Sequence, residues 1–238
     1  SMSLVKDYLG PADSGHWFAD ARWLDALLRF ESALAQAQAD CGLVPRPAAE
    51  AIARACAQAP LTCEGVVEQA RASGALGLAV VRPLQQWLQA QAPEGLPWLH
   101  WGATTQNIFD TASALQMVRT HRLLAGHLDA AIAALAALAL EHQATPMAGR
   151  THGQHALPMT LGFKLAGWVD ELDRGRRRLA ERLASSFPAS MGGAIGTFAA
   201  TGPLGPAVQA LMAQQLGLLS ADMPLRSSYD RASDYLAA

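Results

Sequence analysis

Between Asn107 and Gln143 the chain has no proline and a single glycine, Gly126. Proline breaks helices and glycine weakens them, so a stretch this long without either is free to run as one helix. Met117, His121, Leu124, Leu128, Ala131, Leu135, Leu138 and His142 alternate in 4,3 spacing, the seam of a helix bundle. The spacing predicts a helix from Asn107 or Asp110 to about Gln143, roughly 50 Å long and far beyond the usual three turns. A second long helix is expected after the Pro146–Pro158 turn, on the stripe of Leu161, Leu165, Trp168, Leu172, Leu179 and Leu183.

The segments before and after are shorter. Phe18–Cys41 carries Leu24, Leu27, Leu28 and Leu34 on one stripe and stops at Gly42. Pro47 suits the first turn of a helix over Pro47–Gln58, Thr62 is a cap for Cys63–Ala72, and Pro83 opens Pro83–Ala90. A Gly-rich connection, Pro188 through Gly205, leads to Pro206–Leu216, and Ser228–Ala238 begins a further helix with no stop signal. The abundance of Ala and Leu, the strongest helix formers, agrees with an all-α fold. The expected organisation is a small helical N-terminal domain, 1–108, then a partial long-helix bundle, 109–238, the N-terminal part of a longer protein.

A net charge of −2 lacks the basic excess that nucleic-acid binding needs. Arg174, Arg176, Arg177, Arg178 and Arg182 are interleaved with Asp170, Glu171, Asp173 and Glu181, which reads as a solvated, salt-bridged helix face. Cys41, Cys56 and Cys63 form neither a disulfide pattern nor a metal-ligand spacing. No secretory signal opens the chain, and Ser1-Met2 reads as a tag-cleavage remnant. The longest apolar run, Ala130–Leu140, is about half the length a bilayer needs. These features predict a soluble, reduced, cytoplasmic protein without membrane or nucleic-acid partners.

Two polar clusters interrupt this helical text. Gly149–Thr160 gathers Arg150, Thr151, His152, Gln154 and His155 where a bland turn would suffice. A guanidinium, a hydroxyl, an amide and two imidazoles can hold an anion and move a proton. Equally, each histidine can simply bond backbone at a helix start, and no third ligand accompanies the pair to make a metal site. The second cluster, His100–Asn107, offers His100, Thr104, Thr105 and Gln106 beside Gly102 at the start of the long helix. Helix capping explains Thr104, Thr105 and Asn107, whereas His100, Gly102 and Gln106 fit anion binding at a helix N-terminus.

In this order and on this scaffold, His100-Trp101-Gly102-Ala103-Thr104-Thr105-Gln106-Asn107 and Gly149–Thr160 resemble the first two signature regions of the fumarase/aspartase superfamily of lyases. Gln154-His155-Ala156-Leu157-Pro158, Gly162–Trp168, Gly192–Thr197 and Leu28–Ala35 are most similar to the 3-carboxy-cis,cis-muconate cycloisomerase branch. The pattern departs at three places. His152 stands where cycloisomerases have Trp and adenylosuccinate lyases His; Asn107 stands where most members have Asp; Tyr229 stands where cycloisomerases tend to have Arg.

The resemblance implies addition or elimination β to a carboxylate through an enolate-like intermediate, without a metal or other cofactor. His155 or His152 would handle the proton, while His100, Thr104, Thr105, Gln106, Arg150, Thr151 and Gln154 would bind a small polycarboxylate. It further implies a homotetramer whose active sites each draw on three subunits, and a third region, a Gly-Ser-Ser loop with a serine base, beyond residue 238. The expected activity is thus lactonisation of a carboxymuconate in aromatic catabolism, with the fragment inactive alone. The alternatives are an adenylosuccinate-lyase-like or nitrosuccinate-lyase-like C–N lyase, or a non-catalytic scaffold homologue.

Overall fold

A computed structural model describes residues 17–224 and 228–238; Ser1-Met2 lies outside them. The helices are α1 (Asp20–Asp40), α2 (Arg46–Gln58), α3 (Cys63–Ser73), α4 (Leu76–Gln91), α5 (Thr105–Glu141), α6 (Leu161–Ser186), α7 (Gly205–Leu216) and α8 (Asp230–Leu236). Strands β1 (Pro146–Thr151) and β2 (Gln154–Thr160) form one antiparallel hairpin between α5 and α6. The fold is therefore all-α apart from that hairpin. By packing, residues 1–119 and 185–232 make one compact unit, and 120–184 with 233–238 make a second. The packing groups the Gly-rich connection and α7 with the N-terminal helices.

In the first unit, α1 buries Ala26, Leu27, Phe30, Ala33, Leu34 and Ala37 on one stripe. They pack with Ile108, Ala112 and Leu115 from the opening turns of α5, with Met191, and with Val208, Met212 and Leu216 of α7. A second cluster joins Ala48, Ile52 and Ala55 of α2 to Val81, Leu84 and Leu88 of α4. The helix ends are set by local chemistry. Gly42 is left-handed after α1, Thr62 Oγ1 accepts the Gly65 N–H at the start of α3, and Gly217 is left-handed after α7.

One expectation fails here. Pro83 does not open a helix but lies inside α4, which begins seven residues earlier. An interior proline costs about 3 kcal/mol. Val80, Val81, Leu84 and Leu88 are all buried, and each such side chain returns about 1.5–3 kcal/mol, so tertiary burial overrides the local break.

The second unit is the distal part of α5, the hairpin and α6. Leu161 N–H donates to Thr145 O and Gly162 N–H to His142 O, both at 2.9 Å, and Thr160 Oγ1 accepts from Phe163 N–H to cap α6. The basic run on α6 pairs as its spacing implies: Arg174 with Asp170, and Arg176 and Arg177 with Asp173. These bridges are exposed and contribute little stability individually. Most of the 4,3 seam of α5 is only half-buried, and Ala131 and Leu138 are exposed. By length and composition alone α5 could cross a membrane: its most apolar 18-residue window has a mean hydropathy of 1.9, and none of that window is buried within the chain. A helix apolar all round belongs in an interior.

Two glycines predict opposite responses to the same substitution. A Cβ on Gly126 of α5 meets nothing within 4 Å, so Gly126→Ala should raise the unfolding free energy by about 0.5–1 kcal/mol. A Cβ on Gly162 runs into the Ala139 carbonyl oxygen and the Gln143 backbone, so Gly162→Ala should lower it by about 1–3 kcal/mol. Urea titrations of the two variants against the parent chain check both signs.

Candidate functional site

The first cluster is built on two polar side chains that α1 buries inside its apolar stripe. Glu31 is 1% exposed and Gln38 0%. Glu31 Oε1 lies 2.6 Å from His100 Nδ1, and Gln38 Nε2 donates to the Trp101 carbonyl at 2.7 Å. An ionised carboxylate only accepts, so Nδ1 carries the hydrogen. The loop held this way is strained: His100 has φ +57°, a left-handed conformation that non-glycine residues seldom adopt, and Gly102 follows at +74°. Burial alone would push the His100 pKa down. The charge of Glu31 and its hydrogen bond outweigh that, and the net displacement is upward.

At the start of α5, Asn107 fastens the Gly-rich loop. Its Oδ1 accepts from Thr104 N–H at 3.0 Å and Gly193 N–H at 3.2 Å, and its Nδ2 donates to Ser190 Oγ at 3.1 Å. Backbone N–H groups only donate, so the amide has one possible orientation. Thr111 Oγ1 completes the clasp, accepting from Ser190 N–H at 2.9 Å and donating to Ser190 O at 3.3 Å. Asn107 is 2% exposed, and an amide fills this place without burying a charge.

The neighbouring candidates are occupied by structure to differing degrees. Gln106 Nε2 donates to Asp110 Oδ1 at 2.6 Å and to Tyr229 Oη at 3.0 Å. A Cβ on Gly77 of α4 would come within 2.7 Å of Thr105 Oγ1, so the Thr105 side chain stands against that glycine. Thr104 is half-buried and next to the loop.

The second cluster corrects the expected turn or helix start: it is the β-hairpin. Thr151 pairs with Gln154, leaving a two-residue loop of His152 and Gly153. Their φ values are +49° and +73°, the left-handed pair that a type I′ hairpin turn demands. Opposed residues share a face of a strand pair and successive ones alternate, so Arg150 and His155 project from one face and Thr151 and Gln154 from the other. Register changes between Ala148 and Arg150, because Ala156 and Leu157 together oppose Gly149. A Cβ on Gly149 would sit 2.6 Å from the Leu157 carbonyl oxygen, so the bulge needs that glycine. All five candidates, His152 among them, are exposed, and among the described residues their side chains make no hydrogen bond or ion pair. The two clusters lie in different compact units.

His121, on the expected seam, is buried with its Nδ1 2.9 Å from Tyr235 Oη. Burial, then the charge of Arg122, lowers its pKa. Among the described residues no three His, Cys, Asp or Glu side chains gather to hold a metal. A cavity of about 360 Å³ lined by Pro60, Leu61, Val66, Gln69, Pro83 and Trp87 contains none of the candidates.

A strand-paired cation and imidazole, a second imidazole backed by a buried carboxylate, and a glycine loop clasped to a helix start coincide with a match to known proteins. A family model described as "Lyase" covers residues 12–234. The chain belongs to the fumarase/aspartase superfamily of lyases. It is 37% identical over 226 residues to N-acetyl-S-(2-succino)cysteine lyase of Enterococcus italicus, covering 92% of this chain and 47% of that protein. It is 41% identical over 181 residues to nitrosuccinate lyase of Streptomyces davaonensis, covering 76% and 38%. The solved 3-carboxy-cis,cis-muconate lactonizing enzyme of Pseudomonas putida superposes with a TM-score of 0.91 at 34% identity, over 98% of this chain and 53% of that one. The chain spans between 38% and 53% of the length of these relatives.

Sequence reading missed the parts of the candidate site that arrive from far along the chain. Glu31 appears there only within the Leu28–Ala35 stretch and Gln38 only within the Phe18–Cys41 helix, although polar residues inside an apolar stripe were the signal. Ser190 and Thr111 carried no signal of their own.

Two outcomes follow from this geometry. Asn107→Ala removes three hydrogen bonds from a buried clasp and leaves two backbone N–H groups to find new partners. It should cost about 2–4 kcal/mol in urea unfolding. His100, with its folded pKa raised above the ordinary histidine value of about 6.5, adds stability that is complete below that pH and is lost as pH rises through the folded value. Unfolding free energies measured from pH 6 to 9 should therefore fall with pH, and fall less in His100→Gln.

Proposed function

We propose that the complete protein forms or breaks a bond β to a carboxylate in a small polycarboxylate, with lactonisation of 3-carboxy-cis,cis-muconate as the leading reaction. The observation that carries the reading is the pairing of Arg150 with His155 on one hairpin face, a fixed cation beside a proton carrier. Arg150 would bind a substrate carboxylate through its planar fork, and His155 would handle the proton or stabilise the enolate-like intermediate. Thr151 and Gln154, on the other face, would bind carboxylate oxygens from a different direction. His100, Thr104, Thr105 and Gln106 would supply a further anion contact. In the lactonising direction a substrate carboxylate oxygen adds to the double bond and a proton is delivered to the carbon next to another carboxylate.

A second reading is elimination from a substituted succinate. Tyr229, not an arginine, bonds Gln106, which leaves that flank of the first cluster one cation poorer for a tricarboxylate. The identities to nitrosuccinate lyase and to N-acetyl-S-(2-succino)cysteine lyase support it as well. Assembly into a homotetramer, with the uncovered apolar length of α5 in its interior, belongs to the same proposal.

The test is a thermal-shift and turnover panel on the complete protein, with carboxymuconate, nitrosuccinate, N-acetyl-S-(2-succino)cysteine and adenylosuccinate. Loss of the conjugated-diene absorbance on carboxymuconate is expected, with stabilisation by tricarboxylates. Release of nitrite or thiol instead selects the second reading, and stabilisation by an adenylate alone overturns both. His155→Ala should lower kcat by about 10²–10⁴-fold, the range of a lost acid–base group; unchanged turnover removes His155 from its role.

A further inference from the structure

The loop at His100–Gly102 is anchored twice from α1, and the two anchors differ in charge. Gln38 holds the Trp101 carbonyl with a neutral amide that is fully buried. Seven residues earlier Glu31 holds His100 with a carboxylate that is just as buried. If anchoring were the whole task, a second amide would do it without the desolvation cost of a buried ion. A carboxylate does what an amide cannot: it favours the imidazolium over the neutral ring. Glu31 Oε2 has no hydrogen-bond partner among the described residues, so His100 is the group that answers this charge.

We propose that Glu31 is a positioning residue that holds the His100 ring by Nδ1–H and keeps it cationic, so that Nε2–H donates to an anionic group of the substrate beside the start of α5. The inference rests on the polycarboxylate reading given above. It explains why a left-handed histidine is tolerated at position 100, since the ion pair over-determines a backbone that would otherwise relax. His100 Nε2 makes no hydrogen bond among the described residues, and the side chain keeps 21% of its surface exposed, so a ligand can reach the ring. The other groups nearby leave the balance to this pair. The Phe30 ring lies 6.4 Å from the imidazole and carries no charge. Cys56 of α2 faces the same carboxylate, and burial followed by the charge of Glu31 pushes its thiol up, so it stays neutral. The charge acting on His100 is that of Glu31.

Glu31→Gln tests this, because it keeps the shape and removes the charge. Two measurements on the complete protein are needed. In the first, the protein is labelled at histidine Cε1, the His100 signal is assigned by its loss in His100→Gln, and its titration is followed by NMR. The wild-type midpoint should lie above 6.5, and Glu31→Gln should lower it by at least about one pH unit. A wild-type midpoint at or below 6.5 overturns the proposal without any variant having to fold. In the second, Glu31→Gln should raise KM for the substrate about tenfold at pH 7.5 with kcat changed less than about threefold, and KM should return toward wild type near pH 5.5, where His100 protonates unaided. A purely structural role would show no such recovery. An unmoved midpoint, or a loss confined to kcat, overturns the proposal. The NMR result does not require turnover, so failure on every polycarboxylate tested would count against the functional reading and not against the role of Glu31.

Discussion

A carboxylate with almost no exposed surface sits in the middle of α1, facing an imidazole sixty-nine residues away. Ions are costly to bury, and this one is compensated by a partner that itself occupies an unfavourable backbone conformation. Each side makes the other tenable. The pair closes the loop between the first helices and α5, and Gln38 repeats the attachment two turns further along. From that fixed point α5 begins in a set position, Asn107 and Thr111 come into reach of Ser190, and the glycine loop is drawn onto the helix start.

The two candidate clusters are made rigid by different means. Around His100 the means is burial: side chains from α1 and α5 reach through the core to hold loops whose own residues have little regular structure. In the hairpin it is backbone geometry, since the polar side chains at its tip are exposed and, among the described residues, make no hydrogen bond or ion pair. There the left-handed pair His152-Gly153, the ladder and the bulge at Gly149 fix where each side chain projects. The first arrangement suits a group whose charge must be controlled. The second suits groups that meet a ligand directly.

How much of this was legible in the sequence depends on how far each cause lies from its effect. Gly42, Thr62 and Gly217 act on their own helix ends, and their positions could be read directly. The long α5 was visible because periodicity sums over many residues. Pro83 misled, because the local rule against interior proline competes with burial supplied by α2, which no window around Pro83 contains. The hairpin was hidden for another reason. Its turn is His-Gly in place of the asparagine- or aspartate-glycine pair that usually marks this geometry, and its strands are polar on both faces near the tip. The candidate residues themselves were found by their chemistry, whereas the side chains that hold them, Glu31, Gln38, Thr111 and Ser190, were not. Those partnerships span sixty to eighty residues and leave no local trace.

The extra residue in β2 has a consequence for how such a hairpin can change over time. Side chains alternate with strict parity along a strand, and the bulge shifts that parity once, at a place where only glycine fits opposite. Substitutions at the tip alter which groups are presented but keep their directions. Deleting one residue from Ala156-Leu157 would restore a regular ladder, leaving Arg150 and His155 on their shared face but removing the kink and added twist that aim the tip. The length of this segment thus sets where the tip is aimed, whereas its composition sets which groups are presented there.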